Sequence, residues 1–275
     1  METGIKKKTN QGKKLIILGF VTIGILFFMY GRYQDPQLLT PSAIDTIQRI
    51  AYGFYIILIV SFGAIAFGMY RYHREKVEIK GKDLSSIIAL TTWNSKSRKI
   101  FVVTFIGYGI FFSLVSGTLV YQPEVDFSYH YGATIPSGFV APCCDGPGYM
   151  PQIIIYLTEH VGLNIIPINL VLQVIVSYLV GLNAAIAANA YTISKKGRGA
   201  SGIGAIAGLF IACPTCAGSF LSIFIGTASG IALSIALTQL QTFFIAISIP
   251  ILLVTPYIMA KKLRNVDGSC KINPD

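Results

Sequence analysis

Charge is scarce in this sequence: 12% of its 275 residues are Asp, Glu, Lys or Arg, against roughly 25% in an ordinary soluble domain. With 53% hydrophobic residues and a mean hydropathy of +0.63, that deficit excludes a conventional soluble fold and places the chain in the membrane class. No Asp, Glu, Lys, Arg or His falls inside the long apolar runs, which argues against a proton- or ion-coupled carrier, because such carriers work through intramembrane charge. A passive channel or a path of soft ligands is still open. Also missing are a phosphate-cradling Gly-rich loop with Lys and Ser/Thr, an HExxH motif, an intramembrane His pair for haem, and a Ser-His-Asp set on one side of the membrane. These absences exclude a nucleotide-driven enzyme. Five methionines, mostly dispersed, make no thioether ladder for copper.

What is present is a series of apolar runs. About 20 residues of helix cross the ~30 Å of a bilayer core, and six runs approach or exceed that length: Leu15–Tyr30, Ala51–Tyr70, Ile100–Tyr121, Ile168–Ile193, Gly202–Gly226 and Leu240–Ala260. The formal net charge of +10 does not make a nucleic-acid surface, because the basic residues are divided among the connections between runs. Of the 22 Lys and Arg, only Arg32 and Arg49 fall on one side if six spans alternate. The positive-inside rule then makes both termini cytoplasmic in a multi-pass protein of the cell membrane. The first run follows Lys13 and Lys14 but leads into Met29-Tyr30-Gly31-Arg32-Tyr33, without a small-residue cleavage site, and reads as an uncleaved span. The expected fold is an all-α bundle of about six spans with an irregular extracytoplasmic cap. Its parts are a basic cytoplasmic tail at 1–14, a three-helix N-terminal part at 15–121, a Cys/Pro/Gly-rich outer loop at 122–167, a three-helix C-terminal part at 168–260 and a cytoplasmic tail at 261–275.

The outer loop contains no Lys or Arg and carries Glu124, Asp126, Asp145 and Glu159. It therefore attracts cations, although the acidity is also the plain complement of the positive-inside bias. Pro136, Pro142, Pro147 and Pro151, interleaved with Gly132, Gly138, Gly146 and Gly148, predict an irregular, turn-rich stretch over 132–151. Gln152–Ile166 is apolar and too short to cross, and is expected to lie along the outer interface or to dip in and return. The inner loop Arg71–Lys99, with Trp93 and His73, reads as a headgroup-bound connection. Asn169, Gln173 and Ser177 recur every four residues on one face of the fourth run and can hydrogen-bond a neighbouring helix. Gly202, Gly204 and Gly208 permit close helix approach, and Pro250 and Pro256 kink the last run.

The chemistry rests on cysteine. Cys213-Pro214-Thr215-Cys216 lies in the fifth run, and Cys213 comes about 17 Å along the helix from Gly202, near the bilayer midplane. At i and i+3 the two thiols share a helix face, close enough to form a disulfide or hold one soft metal ion, and Pro214 exposes a carbonyl beside them. The bland alternative is a kinked helix with two small buried cysteines. Cys143 and Cys144 stand together in the outer loop, with His130, Asp145 and His160 in the same segment. As a vicinal pair they close only a strained, labile disulfide. With the His donors they instead supply ligands suited to Cu(I), Hg(II) or zinc. Ordinary structural cysteines in a cap are the third reading. Cys270 reads as a lone cytoplasmic thiol.

One cysteine pair outside and one in the membrane resembles the layout of disulfide-generating membrane proteins of the DsbB and vitamin K epoxide reductase type. That resemblance implies Cys143, Cys144, Cys213 and Cys216 as catalytic residues, an extracytoplasmic thiol protein as partner and a quinone as electron acceptor. The membrane pair of those proteins lies near the outer surface, whereas Cys213 is mid-span. Cys213-Pro-Thr-Cys216, followed by Ala-Gly-Ser-Phe-Leu and by Gly226 and Gly230, also resembles the cysteine hairpins of mercuric-ion transport proteins over about residues 210–260. That resemblance implies a copper- or mercury-type ion captured by Cys143 and Cys144 and passed to Cys213 and Cys216, with His130 and His160 as further metal ligands. A non-catalytic subunit or assembly factor of a larger membrane complex is the third class.

Overall fold

The computed structural model of the protein describes residues 2–34, 40–79, 85–86, 88–89, 94–143, 148–196, 249–250 and 252–258. The elements run α1 (Glu2–Gly31), a short 3-10 turn (Arg32–Gln34), α2 (Pro41–Ile79), α3 (Ser95–Val115), β1 (Leu119–Tyr121), α4 (Phe127–Tyr131), β2 (Ser137–Ala141), β3 (Gln152–Tyr156), β4 (Val161–Ile165) and α5 (Pro167–Lys196). The described chain is thus mostly helical. Among the described residues four helical stretches are long and apolar enough to cross a membrane: Gln11–Gly31, Ala43–Glu78, Ser95–Leu114 and Pro167–Ala188. These answer to the first four expected spans. The fifth, Gly202–Gly226, lies outside the described residues, as does most of the sixth, of which 249–250 and 252–258 are helical.

The chain divides into two compact units, the first Met1–Glu75 with Ile110–Val174 and the second Lys76–Gly109 with Ile175–Asp275. In the first unit α1 and α2 run antiparallel and meet through glycine. A Cβ on Gly68 would stand 3.0 Å from the Gly12 carbonyl oxygen, one on Gly12 3.1 Å from the Gly68 carbonyl, and one on Gly19 would collide with the Ile65 side chain. Without side chains at these points the two backbones approach closely, which is how helices gain dispersion contact where lipid removes any hydrophobic drive between them. The opposite faces carry exposed Ile17, Leu18, Val21 and Phe28 on α1 and Ile56, Ile59, Val60 and Phe67 on α2, an outward apolar surface that suits an apolar solvent.

The region expected to be an irregular cap holds a four-stranded antiparallel sheet in the order β1-β4-β3-β2. Gln152–Ile166, expected along the interface, is the hairpin β3–β4, with Ile153 opposite Ile165 and Tyr156 opposite Gly162. Its Ile-rich strands favour extended backbone. Thr158 breaks the apolar run, its hydroxyl accepting the Val161 amide at 3.0 Å. The third span also ends earlier than its hydropathy suggests. Gly117 takes φ 70°, a left-handed conformation that ends a helix cheaply, and Leu119–Tyr121 becomes an edge strand paired with β4. Polar side chains tie the joint between α3 and α5. Gln173 Nε2 donates to Ser113 Oγ at 2.6 Å and Asn169 Nδ2 reaches the Ser116 carbonyl at 3.4 Å, as the four-residue spacing on this helix predicts.

In the second unit Val176, Leu179, Val180 and Leu252 form a buried cluster, and Gly181 gives Phe101 room against α5. Asn183, 2% exposed, donates from Nδ2 to the Leu252 carbonyl at 3.1 Å. The reason lies four residues on: Pro256 has no N–H, so the Leu252 carbonyl loses its helical partner, and the Asn183 amide replaces it. The Ser177 hydroxyl is buried without a partner among the described residues.

Two outcomes check this packing. Gly19→Leu should lower stability by about 1–3 kcal/mol, the usual cost of overpacking, read as a drop in the thermal midpoint of the purified protein in detergent. In a double-mutant cycle of Asn183→Ala and Pro256→Ala, a coupling of about 0.5–1.5 kcal/mol is expected, because restoring an N–H at 256 makes the Asn183 amide redundant. Strict additivity would contradict the pairing.

Candidate functional site

The sheet is fastened to α1 and α2 by two tyrosines. Tyr30, 2% exposed and on the last turn of α1, donates its hydroxyl to the Pro142 carbonyl at 2.6 Å. Tyr55 on α2 donates to the Pro151 carbonyl at 2.6 Å and, in the same forked bond, to the Ile165 carbonyl at 3.0 Å, gripping the open end of the β3–β4 hairpin. The rings are braced by Phe54, whose centroid lies 5.1 Å from Tyr30, 5.6 Å from Tyr55 and 5.5 Å from Phe27, each at a steep interplanar angle. Such edge-to-face contacts contribute about 0.5–1.5 kcal/mol each beyond burial.

Cys143 follows directly on the carbonyl that Tyr30 holds. It is half-buried. Among the described residues it forms no disulfide. Its neighbour Cys144 lies outside the described residues, as do Asp145, Cys213, Cys216 and Cys270.

His130 and His160 belong to the other end of the sheet. Ala141, two residues before Cys143, pairs with Gln152, while Ser137 pairs with Tyr156 beside the turn that carries His160. Four strand residues at about 3.4 Å each separate the two ends by about 14 Å. Both rings are committed in the same way. His130 Nδ1 lies 3.2 Å from the Asp126 carbonyl and His160 Nδ1 3.2 Å from the Val125 carbonyl. A carbonyl only accepts, so each Nδ1 carries a proton toward it. His160 Nε2 lies 3.5 Å from Asp126 Oδ1. Among the described residues no three His, Cys, Asp or Glu gather in ligand geometry; of the expected metal ligands, Cys144, Cys213 and Cys216 lie outside the described residues.

Sequence reading missed the role of Glu159. Asp126 stands at the N-cap of α4 without capping it through its side chain. Glu159 does so from the β3–β4 turn: its Oε2 accepts from the Ser128 hydroxyl at 2.7 Å and the Ser128 amide at 3.2 Å, and its carbonyl accepts the Phe127 amide at 3.0 Å. The Ser128 bonds, with His160 nearby, hold the Glu159 carboxyl below the usual carboxylate range. The signal available in sequence was a helix start whose own cap residue is answered by an acid 33 residues later, which no local pattern reveals.

No protein family, curated protein or solved structure matches the chain.

Two tests follow. Tyr30→Phe removes one hydrogen bond to a part-buried carbonyl, worth about 1 kcal/mol, and should speed alkylation of Cys143 by a thiol reagent while Tyr33→Phe leaves it unchanged. Because the Glu159 carboxyl is depressed in the folded state, its contribution is fully present above the ordinary value of 4.5 and fades as pH falls through the folded one. Hydrogen-exchange protection of the Ser128 amide, corrected for intrinsic rate, should therefore fall on acidification below about pH 4.5 and lose that dependence in Glu159→Gln.

Proposed function

We propose that the chain is a six-span membrane protein with both termini cytoplasmic and the sheet on the extracytoplasmic side, and that it transports or delivers a soft metal ion of copper or mercury type. Cys143 and Cys144 capture the ion, and Cys213 and Cys216 carry it through the bilayer. The observation that supports this most directly is the seating of Cys143: Tyr30, at the end of a span-length helix, donates to the carbonyl of Pro142, the residue before it, at 2.6 Å. A vicinal pair of soft thiolates selects Cu(I) or Hg(II) without a third donor. His130 and His160, at the far end of the sheet, are auxiliary donors.

A second reading uses the same residues as a thiol-disulfide relay. Its support is the strain of a vicinal disulfide, which makes Cys143–Cys144 readily reduced. The outer pair, when oxidised, takes two electrons and two protons from a partner dithiol. Exchange with Cys213–Cys216 passes them inward, and a quinone in the bilayer is reduced to the quinol.

Metal content decides between them. Full-length protein, reduced and loaded with Cu(I) in detergent, should retain about one ion per cysteine pair, and Cys143→Ser with Cys144→Ser should lose one of the two and abolish any effect of the protein on cellular metal tolerance. Unchanged copper in that double variant would overturn the capture role. No copper in either protein, with a trapped mixed disulfide on Cys143 or Cys144, would favour the relay.

A further inference from the structure

The sheet carries an aromatic shelf that the cysteine chemistry does not use. Tyr131 of α4 stacks on Tyr156 of β3 with centroids 6.4 Å apart and planes 18° from parallel, and Phe139 of β2 lies 6.3 Å from the same ring. Phe127 packs beneath, 5.2 Å from Tyr156, in the space left by Gly162, where a Cβ would come within 3.3 Å of its ring. The outer rings are open: Tyr131 is 61% exposed and Phe139 45%. Two carboxylates stand at the start of the same short helix, Asp126 immediately before α4 with His160 Nε2 3.5 Å from its Oδ1, and Glu159, which grips the first turn through Ser128. From 122 to 167 there is no Lys or Arg to neutralise them or Glu124.

An exposed ring face bordered by carboxylates suits a planar cation. The π face attracts a guanidinium and the carboxylates take its N–H groups. The same charge repels a second copy of this surface, an anionic headgroup or a nucleic acid. We propose that the shelf of Tyr131, Tyr156 and Phe139, rimmed by Asp126 and Glu159, docks a cationic, arginine-bearing segment of a partner protein. This goes beyond metal handling and does not depend on it.

The test uses the full chain in nanodiscs of zwitterionic lipid and a fluorescein-labelled ten-residue peptide alternating arginine and serine, followed by fluorescence anisotropy. The arginine peptide should bind, more tightly than its lysine analogue, with affinity that falls as salt rises, while a glutamate analogue should not bind. Tyr131→Leu should weaken the arginine peptide by about twofold to fivefold, the worth of an exposed cation–π contact. Tyr131→Phe, which keeps the ring, and Tyr121→Leu, an exposed tyrosine of β1, should leave it unchanged. Glu124→Gln should reduce the salt dependence without touching the arginine preference. Absence of binding, equal affinity for arginine and lysine, or indifference to Tyr131→Leu would overturn the proposal.

Discussion

Two tyrosine hydroxyls fix the relation between the sheet and the first pair of helices. Tyr30 from the last turn of α1 and Tyr55 from within α2 each bring a donor to the backbone carbonyl of a proline: Pro142 and Pro151 cannot take part in a regular ladder through their nitrogens, and their carbonyls point at the helices. Buried carbonyls without partners are costly, so these two bonds decide where the Pro-rich connections of the module can rest. Phe54, fully buried between the two rings, keeps both phenols from turning away. The position of Cys143, one residue beyond the Pro142 carbonyl, is a consequence of that arrangement.

The same economy of polar groups recurs along the helices. α1 and α2 approach through Gly12, Gly19 and Gly68 instead of through interdigitated large side chains, leaving Ile, Leu, Val and Phe to face outward. Where helical backbone does lose a donor, at Pro256, a side-chain amide from Asn183 supplies one. Where α3 gives way to the sheet, Ser113, Ser116 and Thr118 meet Asn169, Gln173 and the Asn164 amide. Asn183 and Asn169 are thus matched to backbone carbonyls and Gln173 to a side chain, the kind of pairing that lets polar residues be tolerated out of water, while Ser177 on the same face is buried without one among the described residues.

The helices were legible because hydropathy and length are properties of composition, and Leu15–Tyr30, Ala51–Tyr70 and Ile168–Ile193 sit inside α1, α2 and α5. The hydrogen-bonding face of Asn169 and Gln173 was legible from spacing. The sheet was not. Gln152–Ile166 is apolar throughout, and hydropathy cannot tell a buried hairpin from an interfacial segment. What distinguishes it is the polar Thr158-Glu159-His160 turn between two β-branched runs. The end of α3 was misjudged by six residues because Leu119–Tyr121 continues the apolar run, while Gly117 alone marks the stop. The grouping of Cys143 with His130 and His160 followed their nearness in sequence. Strand pairing carries the histidines to one end of the sheet and Cys143 to the other. Gly12, Gly19 and Gly68 were overlooked since a contact between helices has no local signature, and the Cys213–Cys216 pair lies outside the described residues.

The outer cysteines and the Cys213–Cys216 pair of the proposed fifth span make one chemical path only if the membrane pair is either metal-bound or redox-active in the cell. The decisive observation is the acid-trapped state of Cys213 and Cys216 in native membranes, read by a thiol-reactive mass tag with and without a membrane-permeant chelator. Metal transfer predicts a reduced pair that is shielded from the tag until chelator is added. A freely tagged pair indifferent to chelator would contradict cysteine-centred function altogether, and an oxidised pair that becomes reduced on quinone depletion would replace metal transfer with the thiol relay.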